Sequence, residues 1–165
     1  MPDGFRPAAV LVPLTPAGEL LLTVRNSNLP SHAGQISFPG GSIEAGESPE
    51  TAALREAWEE VALEPGLAEP LGRLPAVLSP YGYHVRPVLA WLAEKPRLRP
   101  NPAEVAEVLW APLAELAAAP AWSEPRRVAG LSRRVWHYPW RERDVWGLTG
   151  NVLHDLLTRI CAARG

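Results

Sequence analysis

The first forty residues alternate between short apolar runs and turn-forming segments. Two of the runs, 8–14 (AAVLVPL) and 19–25 (ELLLTVR), are rich in aliphatic residues, which favours buried strands. The segment 15–18 between them contains proline and glycine, which suit a tight turn. The sequence therefore predicts a hairpin, followed by a polar loop at 26–34 and a short strand at 35–38.

The next pattern, over 48–63, has helical periodicity. Ser48 suits the N-cap, Pro49 suits the first helical position, and the run 64–66 (EPG) stops the helix. Apolar residues recur at helical spacing on one face, which we expect to pack on a sheet. These residues are Leu54, Ala57, Trp58 and Val61.

The remaining chain adds strands and a second long helix. Strand signals are weak over 67–78 and stronger over 83–93, where Pro87 predicts an edge position or a bulge. The later elements are a strand at 104–110, a short helix at 112–119, a segment without clear period at 122–143, and a helix from Asp144 in which Cys161 is expected to pack. This pattern predicts an α/β fold, one domain over 1–165, with a mixed sheet covered on both faces.

Composition and charge exclude several classes of function. The net charge of −2 provides no field that would attract nucleic acid or an anionic membrane. Cys161 is the only cysteine, which excludes a disulfide within the chain and a CxxC metal site. We find no signal peptide or membrane span, so we expect a cytoplasmic protein that acts on a small molecule. The seven tryptophans leave a homodimer open.

Three glutamates stand out on the helix that starts at Pro49. Glu56, Glu59 and Glu60 have the i, i+3, i+4 spacing that places side chains on one helix face, where like charges destabilise a bare helix. A divalent cation held by oxygen ligands would compensate, and Mg²⁺ or Mn²⁺ suits such a site. The alternative is a solvated acidic face with no ligand.

The segment 41–63 resembles the Nudix box. Its glycine, glutamate and Arg-Glu-x-x-Glu-Glu positions match the family pattern with the same gaps, and the departure is Ala62 where the family has glycine. The resemblance implies a Nudix-type α/β/α sandwich with a catalytic loop-helix and a C-terminal helix. It also implies an enzyme that hydrolyses a diphosphate bond with a divalent metal.

The same resemblance assigns roles to individual residues. It implies that Glu56, Glu59 and Glu60 bind metal with the carbonyl of Gly40, and that Arg55 pairs with Glu47 to hold the loop. We take Glu59 as the general base and Arg55 as a further catalytic residue. A fourth carboxylate often completes the family site, and we favour Glu104 over Glu107, which the alternation of a strand would place on the opposite face.

The residues before the box resemble the coenzyme A diphosphatase branch of this family. The similarity covers Leu21-Leu22-Thr23, Arg25, Leu29, His32, Gly34-Gln35-Ile36 and Phe38-Pro39-Gly40-Gly41, with Asn26 at a serine position and Pro30 at a basic one. It continues in Tyr138-Pro139-Trp140 and 145–149. The resemblance implies hydrolysis of coenzyme A to adenosine 3′,5′-bisphosphate and 4′-phosphopantetheine, with Arg25, His32 and Gly41 as substrate-binding residues. The alternatives are a diphosphatase for ADP-ribose or another nucleotide sugar, and a non-catalytic nucleotide sensor on the same fold.

An arginine-rich segment agrees with a phosphorylated substrate. Residues 126–143 include six arginines and a single acidic residue, Glu142. Guanidinium groups suit phosphate oxygens, because they can donate two parallel hydrogen bonds. Nearby aromatic residues could stack on adenine: Trp136, Tyr138 and Trp140. The alternative is a solvated basic loop whose aromatic residues enter the core.

Overall fold

A mixed sheet carries the candidate site. In the computed structural model, which describes residues 4–28, 34–128 and 130–164, eight strands form this sheet and three more form a small antiparallel one. The strands of the large sheet are β1 (Arg6–Leu14), β2 (Glu19–Arg25), β3 (Ile36–Ser37), β4 (Gly40–Ser42), β5 (Ala68–Arg73), β6 (Val77–Leu78), β7 (Tyr83–Leu92) and β8 (Val105–Pro112). Those of the small sheet are β9 (Trp122–Val128), β10 (Leu131–Trp140) and β11 (Arg143–Trp146).

The predicted hairpin of β1 and β2 forms, but the two strands separate soon after the turn. They pair at Leu14 and Leu20, and further along β4 pairs with β1 while β3 pairs with β2. The backbone N–H of Leu11 also donates to the carbonyl of Pro39 at 2.8 Å. The separation of the two strands therefore places the Gly40-Gly41 segment within the sheet, against β1.

Pro87 does not mark an edge strand. β7 is internal, because it pairs in parallel with β1 on one side and antiparallel with β5 and β6 on the other. The carbonyl of Pro87 accepts from the N–H of Leu74, between the end of β5 and the start of β6. The edge prediction is wrong, and the proline is accommodated where the partner strand is interrupted.

Helix α1 (Pro49–Val61) covers one face of the sheet and begins as predicted. The Ser48 hydroxyl accepts from the backbone N–H of Thr51 at 3.1 Å, and Pro49 is the first helical residue. The prediction for its apolar face is wrong in one position, because Trp58 is 50% exposed. The helix instead packs through small residues that allow close approach to the sheet, namely Ala52, Ala53 and Ala57, together with Val61.

The other face of the sheet is covered by helix α3 (Leu148–Arg164) and the small sheet. The segment 122–143, which shows no clear period, forms strands β9 and β10. The C-terminal helix begins at Leu148 rather than Asp144, because 143–146 forms β11. Cys161 is exposed, contrary to expectation, although it follows the buried Leu157 by one turn near the end of α3.

Both faces of the large sheet are thus covered, as predicted. The short helix α2 (Leu113–Ala118) follows β8 directly, in agreement with the sequence pattern. No helix in the described ranges is long and apolar enough to cross a membrane.

Candidate active site

Two glycines form a corner where backbone and carboxylates approach closely. A Cβ atom at Gly41 would lie 2.6 Å from Oε1 of Glu56, and one at Gly40 would lie 2.3 Å from the carbonyl oxygen of Ala9. Neither distance is compatible with a side chain at the unshifted position. The absence of a Cβ at these two positions therefore lets α1 bring its acidic face against β4.

Glu60 is the buried carboxylate at this corner. It is 9% exposed, and its Oε2 accepts from the backbone N–H of Gly40 at 2.9 Å. Burial raises the pKa of Glu60 to about 8, and the negative charges of Glu56 and Glu104 contribute to the rise. A carboxylate held in this way is costly to ionise unless a cation is bound beside it.

Glu56 and Glu59 are less buried than Glu60 and share a cationic neighbour. Nη1 of Arg55 lies 3.0 Å from Oε1 of Glu56 and 3.4 Å from Oε1 of Glu59. Burial is the main cause of the raised pKa of Glu56, and the charge of Glu59 adds to it. The predicted acidic face of α1 is therefore present, with Glu60 at its buried side and Glu59 at its exposed side.

Arg55 and Glu47 form the predicted pair. Nε and Nη2 of Arg55 each donate to one oxygen of Glu47 at 2.9 Å, and Nη2 also donates to the carbonyl of Ser42 at 3.0 Å. The Arg55 guanidinium lowers the pKa of Glu47 to about 2, helped by the hydrogen bond from the backbone N–H of Glu44. This bidentate ion pair holds the loop after β4 against α1.

Glu104 lies near the buried carboxylates, one residue before β8 begins. Its charge raises the pKa of Glu60 and of Glu56. Glu107 lies within β8 and bonds instead to Nη2 of Arg143 at 3.1 Å. Of the two glutamates considered from the sequence, Glu104 is the one near Glu56 and Glu60. We call Glu56, Glu59 and Glu60 the acidic cluster.

Two asparagines that the sequence analysis did not assign to the site hold Glu104 in place. The backbone N–H of Asn101 donates to the carbonyl of Glu60 at 2.8 Å, and that of Glu104 donates to the carbonyl of Asn101 at 3.0 Å. Asn26 donates from its backbone to the carbonyl of Glu104 at 2.9 Å, and its side chain donates to the carbonyl of Pro102. The Asn-Pro dipeptide at 101–102 is a recognisable turn signal, but its contact with α1 depends on tertiary structure.

The donor set suits a hard divalent cation. Within the described ranges, no three acidic, histidine or cysteine side chains converge on one point, and Arg55 occupies one oxygen of Glu56. However, Glu56, Glu60 and Glu104 offer only oxygen ligands, and burial together with the charges of Glu56 and Glu104 raises the pKa of Glu60. Oxygen ligands with uncompensated charge are what Mg²⁺ or Mn²⁺ requires.

A cleft of about 1010 Å³ opens beside the glycine corner. Gly40, Gly41 and Arg25 line it, and the positive charge of Arg25 lowers the pKa of Glu60, which places this arginine near the acidic cluster. His32, which we predicted to bind substrate, lies outside the described residues. The sheet forms one wall of the cleft, and the opposite wall comes from the hairpin of β9 and β10 and from the start of α3.

The aromatic residues predicted to stack on adenine divide between cleft and core. Tyr138 and Trp140 are 5% and 6% exposed and pack in the core, so they are not available to a ligand. Trp136 lines the cleft, where its ring stacks on His154 with centroids 3.8 Å apart. Trp146 also lines the cleft, although the sequence analysis did not select it.

Comparison with known proteins shows which family this chain resembles. The model of the NUDIX domain matches residues 4–130. A protein of Pectobacterium atrosepticum named uncharacterized Nudix hydrolase NudL is 40% identical over 170 residues, which cover 97% of this chain and 88% of that protein. A protein of the same name from Salmonella newport is 41% identical over 94% of this chain and 83% of its own length.

Solved structures agree with this relationship. An Ap4A hydrolase binary complex from C. elegans is 25% identical with a TM-score of 0.56, over 65% of this chain and 80% of that one. The NUDIX domain of Shewanella oneidensis NrtR, solved with ADP ribose, is 28% identical with a TM-score of 0.51, over 68% and 75%. The chain therefore belongs to the Nudix hydrolase family, whose members hydrolyse nucleoside diphosphate derivatives and generally use divalent metal ions.

Proposed function

We propose that this enzyme hydrolyses the diphosphate bond of coenzyme A to give adenosine 3′,5′-bisphosphate and 4′-phosphopantetheine, with Mg²⁺ or Mn²⁺ as cofactor. The observation that carries the hydrolytic part is the buried Glu60 at the glycine corner, beside Glu56 and Glu104. The coenzyme A part is supported by the resemblance over 21–41 and by a cleft whose walls carry arginines.

In this proposal Glu56, Glu59 and Glu60 hold the cation, together with the carbonyl of Gly40, and Glu104 completes the set. When bound, the cation would neutralise charge on the phosphoryl oxygens and lower the pKa of a bound water. Glu59 accepts the proton of the attacking water, since it is the most exposed of the three helix glutamates. The new bond joins the water oxygen to phosphorus, and the bridging oxygen leaves with the other phosphate.

Arg55 contributes by position and by charge. Its bonds to Glu47 and Ser42 leave Nη1 directed at Glu56 and Glu59, which fixes the two carboxylates relative to the loop. Arg25 and Gly41 lie where the cleft meets the glycine corner, and we assign them to the diphosphate. We assign His32 to the substrate as well, on the resemblance alone.

ADP-ribose is the second candidate, because a similar NUDIX domain was solved with that ligand. The site for the reaction would be the same, and the substrates differ in what extends from the diphosphate. A non-catalytic sensor is the third candidate, and it would bind nucleotides without turnover.

A substrate panel separates the three candidates. Initial rates on coenzyme A, dephospho-coenzyme A and ADP-ribose would be compared with Mg²⁺ and with Mn²⁺. We expect coenzyme A to have the highest kcat/KM and its two phosphorylated products to appear in equal amounts. A clear preference for ADP-ribose would refute the coenzyme A assignment, and binding without turnover in both metals would favour the sensor.

A further inference from the structure

Two arginines face each other across the hairpin that forms one wall of the cleft. Arg126 on β9 and Arg133 on β10 are direct partners in the strand register. Paired residues of an antiparallel ladder project on the same face, and like charges placed directly opposite each other are destabilising. Both side chains are exposed, so this arrangement is available to an anion.

The face that carries these arginines contributes to the cleft lining, as does the opposite face, which contributes Arg127, Arg134 and Trp136. Val128 and Val135 lie on the same face as the two arginines, because each valine is two residues along its strand from one of them. Both valines are buried and line the cleft. Trp146, also in the cleft lining, lies under the guanidinium of Arg126 with 5.4 Å between them. Trp146 thus makes a cation–π contact with Arg126.

The two arginines differ in their other partners. Nε of Arg126 donates to Oε1 of Glu124 at 2.6 Å, which holds that guanidinium in place. Arg133 makes no ion pair with any described residue. The cleft lining is strongly basic as a whole, with Asp155 as its single acid among the described residues. Its arginines are Arg6, Arg25, Arg126, Arg127, Arg133 and Arg134.

We propose that Arg126 and Arg133 bind a phosphomonoester of the substrate that is separate from the diphosphate under attack. This inference rests on the proposed function, in which the 3′-phosphate of coenzyme A is that group. A phosphomonoester carries between one and a half and two negative charges near pH 7 and offers three acceptor oxygens. Two guanidinium forks therefore match it in charge and in hydrogen-bonding geometry.

The remaining arginines of the segment are less suited to this role. Arg127 lies on the opposite face of the hairpin, opposite Ser132, and Nε of Arg134 donates to Ser123 at 2.8 Å. Arg141 and Arg143 do not line the cleft and bond to carboxylates instead, at 2.6 Å to Glu115 and 3.1 Å to Glu107. The proposal is therefore specific to one cross-strand pair.

The test compares two substrates that differ only in the 3′-phosphate. We expect Arg133→Gln to lower kcat/KM for coenzyme A about tenfold or more, through KM, because a charge-assisted contact made equally in ground and transition states is lost. For dephospho-coenzyme A the same variant should stay within about twofold of the parent enzyme. Arg97→Gln, an exposed arginine on the loop after β7 and outside the cleft lining, is the control for net charge.

Two outcomes would overturn the inference. One is an equal loss on both substrates, which would indicate a general electrostatic effect. The other is a loss in Arg127→Gln as large as in Arg133→Gln, since that variant removes the same charge from the other face of the hairpin. Thermal unfolding of Arg97→Gln and Arg127→Gln should match the parent enzyme, because these side chains are exposed. Arg133→Gln should be at least as stable, because it removes the repulsion from Arg126.

A binding measurement separates this inference from the proposed function. Calorimetric titration with adenosine 3′,5′-bisphosphate and with adenosine 5′-monophosphate requires no turnover. We expect tighter binding of the bisphosphate, and loss of that preference in Arg133→Gln. If coenzyme A is not hydrolysed but the bisphosphate preference is present, the proposed function fails and the phosphate site stands. If both nucleotides bind equally to the parent protein, the phosphate site is refuted whatever the enzyme hydrolyses.

Discussion

One cluster of like charge lies beside the cleft and another lines it, and the two are built in different ways. In the acidic cluster, Glu56 and Glu60 are neighbours because they are four residues apart on one helix, and burial raises the pKa of both. In the basic pair, Arg126 and Arg133 are neighbours because of strand register, and both remain exposed. A buried cluster without a cation is costly, whereas an exposed one is largely screened by water and salt.

Because the two clusters differ in position and burial, we expect them to have different roles. The acidic cluster lies against the glycine corner, where we propose that the reaction occurs, so changes there should affect every substrate. The arginine pair lies on the hairpin, so changes there should affect only substrates that carry an additional phosphate. The predictions below test that division, beginning with the largest effect.

Glu60→Gln should abolish most of the activity. Loss of a metal-binding carboxylate removes several kcal/mol of transition-state stabilisation, and we expect kcat to fall about a thousandfold with saturating Mg²⁺. The fall should be equal for coenzyme A and dephospho-coenzyme A. The matched control is Glu69→Gln, the same change at an exposed position of β5. Unchanged turnover in Glu60→Gln would refute the metal role of this residue.

From the raised pKa of Glu60 we also predict how the free energy of unfolding of the metal-free protein depends on pH. Glu60 has a folded-state pKa of about 8, well above the value of about 4.3 in an unfolded chain. A raised carboxyl pKa favours the folded state fully below about pH 4.3 and progressively less as the pH rises through 8. Glu47 has a lowered pKa, so its contribution is complete above the unfolded-state pKa of about 4.3 and does not obscure the trend at higher pH.

We therefore expect the free energy of unfolding, measured in EDTA, to fall by about 2 kcal/mol or more between pH 5 and pH 8.5. Glu60→Gln should flatten this dependence, and saturating Mg²⁺ should restore stability at pH 8.5 because it binds the folded state. A profile that is equally steep in Glu60→Gln would show that another group is responsible.

Gly41→Ala tests the close approach at the glycine corner. The added Cβ would lie 2.6 Å from the carboxylate of Glu56, which is the far end of a flexible side chain and can move aside. We expect a small change in melting temperature but a loss of kcat of about ten- to a hundredfold, since displacing a catalytic group by an ångström can cost that much. Gly66→Ala is the control, because a Cβ there meets nothing within 4 Å. Normal kcat in Gly41→Ala would show that Glu56 need not lie against β4.

The sequence predicted the acidic cluster better than it predicted the cleft, for a physical reason. Helix periodicity fixes which residues share a face, so the grouping of the carboxylates followed from local spacing, as the Ser48 cap followed from a local start signal. The Arg55–Glu47 pair came from the resemblance to the family. The position of Glu60 at the buried side of that face did not, because it depends on how closely the small residues of α1 approach the sheet.

The hairpin wall could not be predicted from local pattern. Its strands carry arginines and buried aromatic residues on both faces, which hides the alternation that identifies a strand. The pairing of Arg126 with Arg133 depends on register, and one residue of slip would place them on opposite faces. The placement of Glu104 by Asn101 likewise depends on a contact with the end of α1 that leaves no local signal.

Ala62→Gly is the smallest predicted effect, and it returns to the one departure from the family pattern. Ala62 ends α1 in the left-handed region, with φ of 58° and ψ of 33°, where a Cβ is strained and glycine is not. Glycine should therefore raise the free energy of unfolding by about 1 kcal/mol, which corresponds to about 2–4 °C in melting temperature. Ala117→Gly, at an exposed position in the regular helix α2, is the control and should destabilise by about 0.5–1 kcal/mol. Because Ala62 caps the helix beyond the carboxylates, kcat should stay unchanged. A change in kcat without a gain in stability would mean that the helix end adjusts the acidic cluster itself.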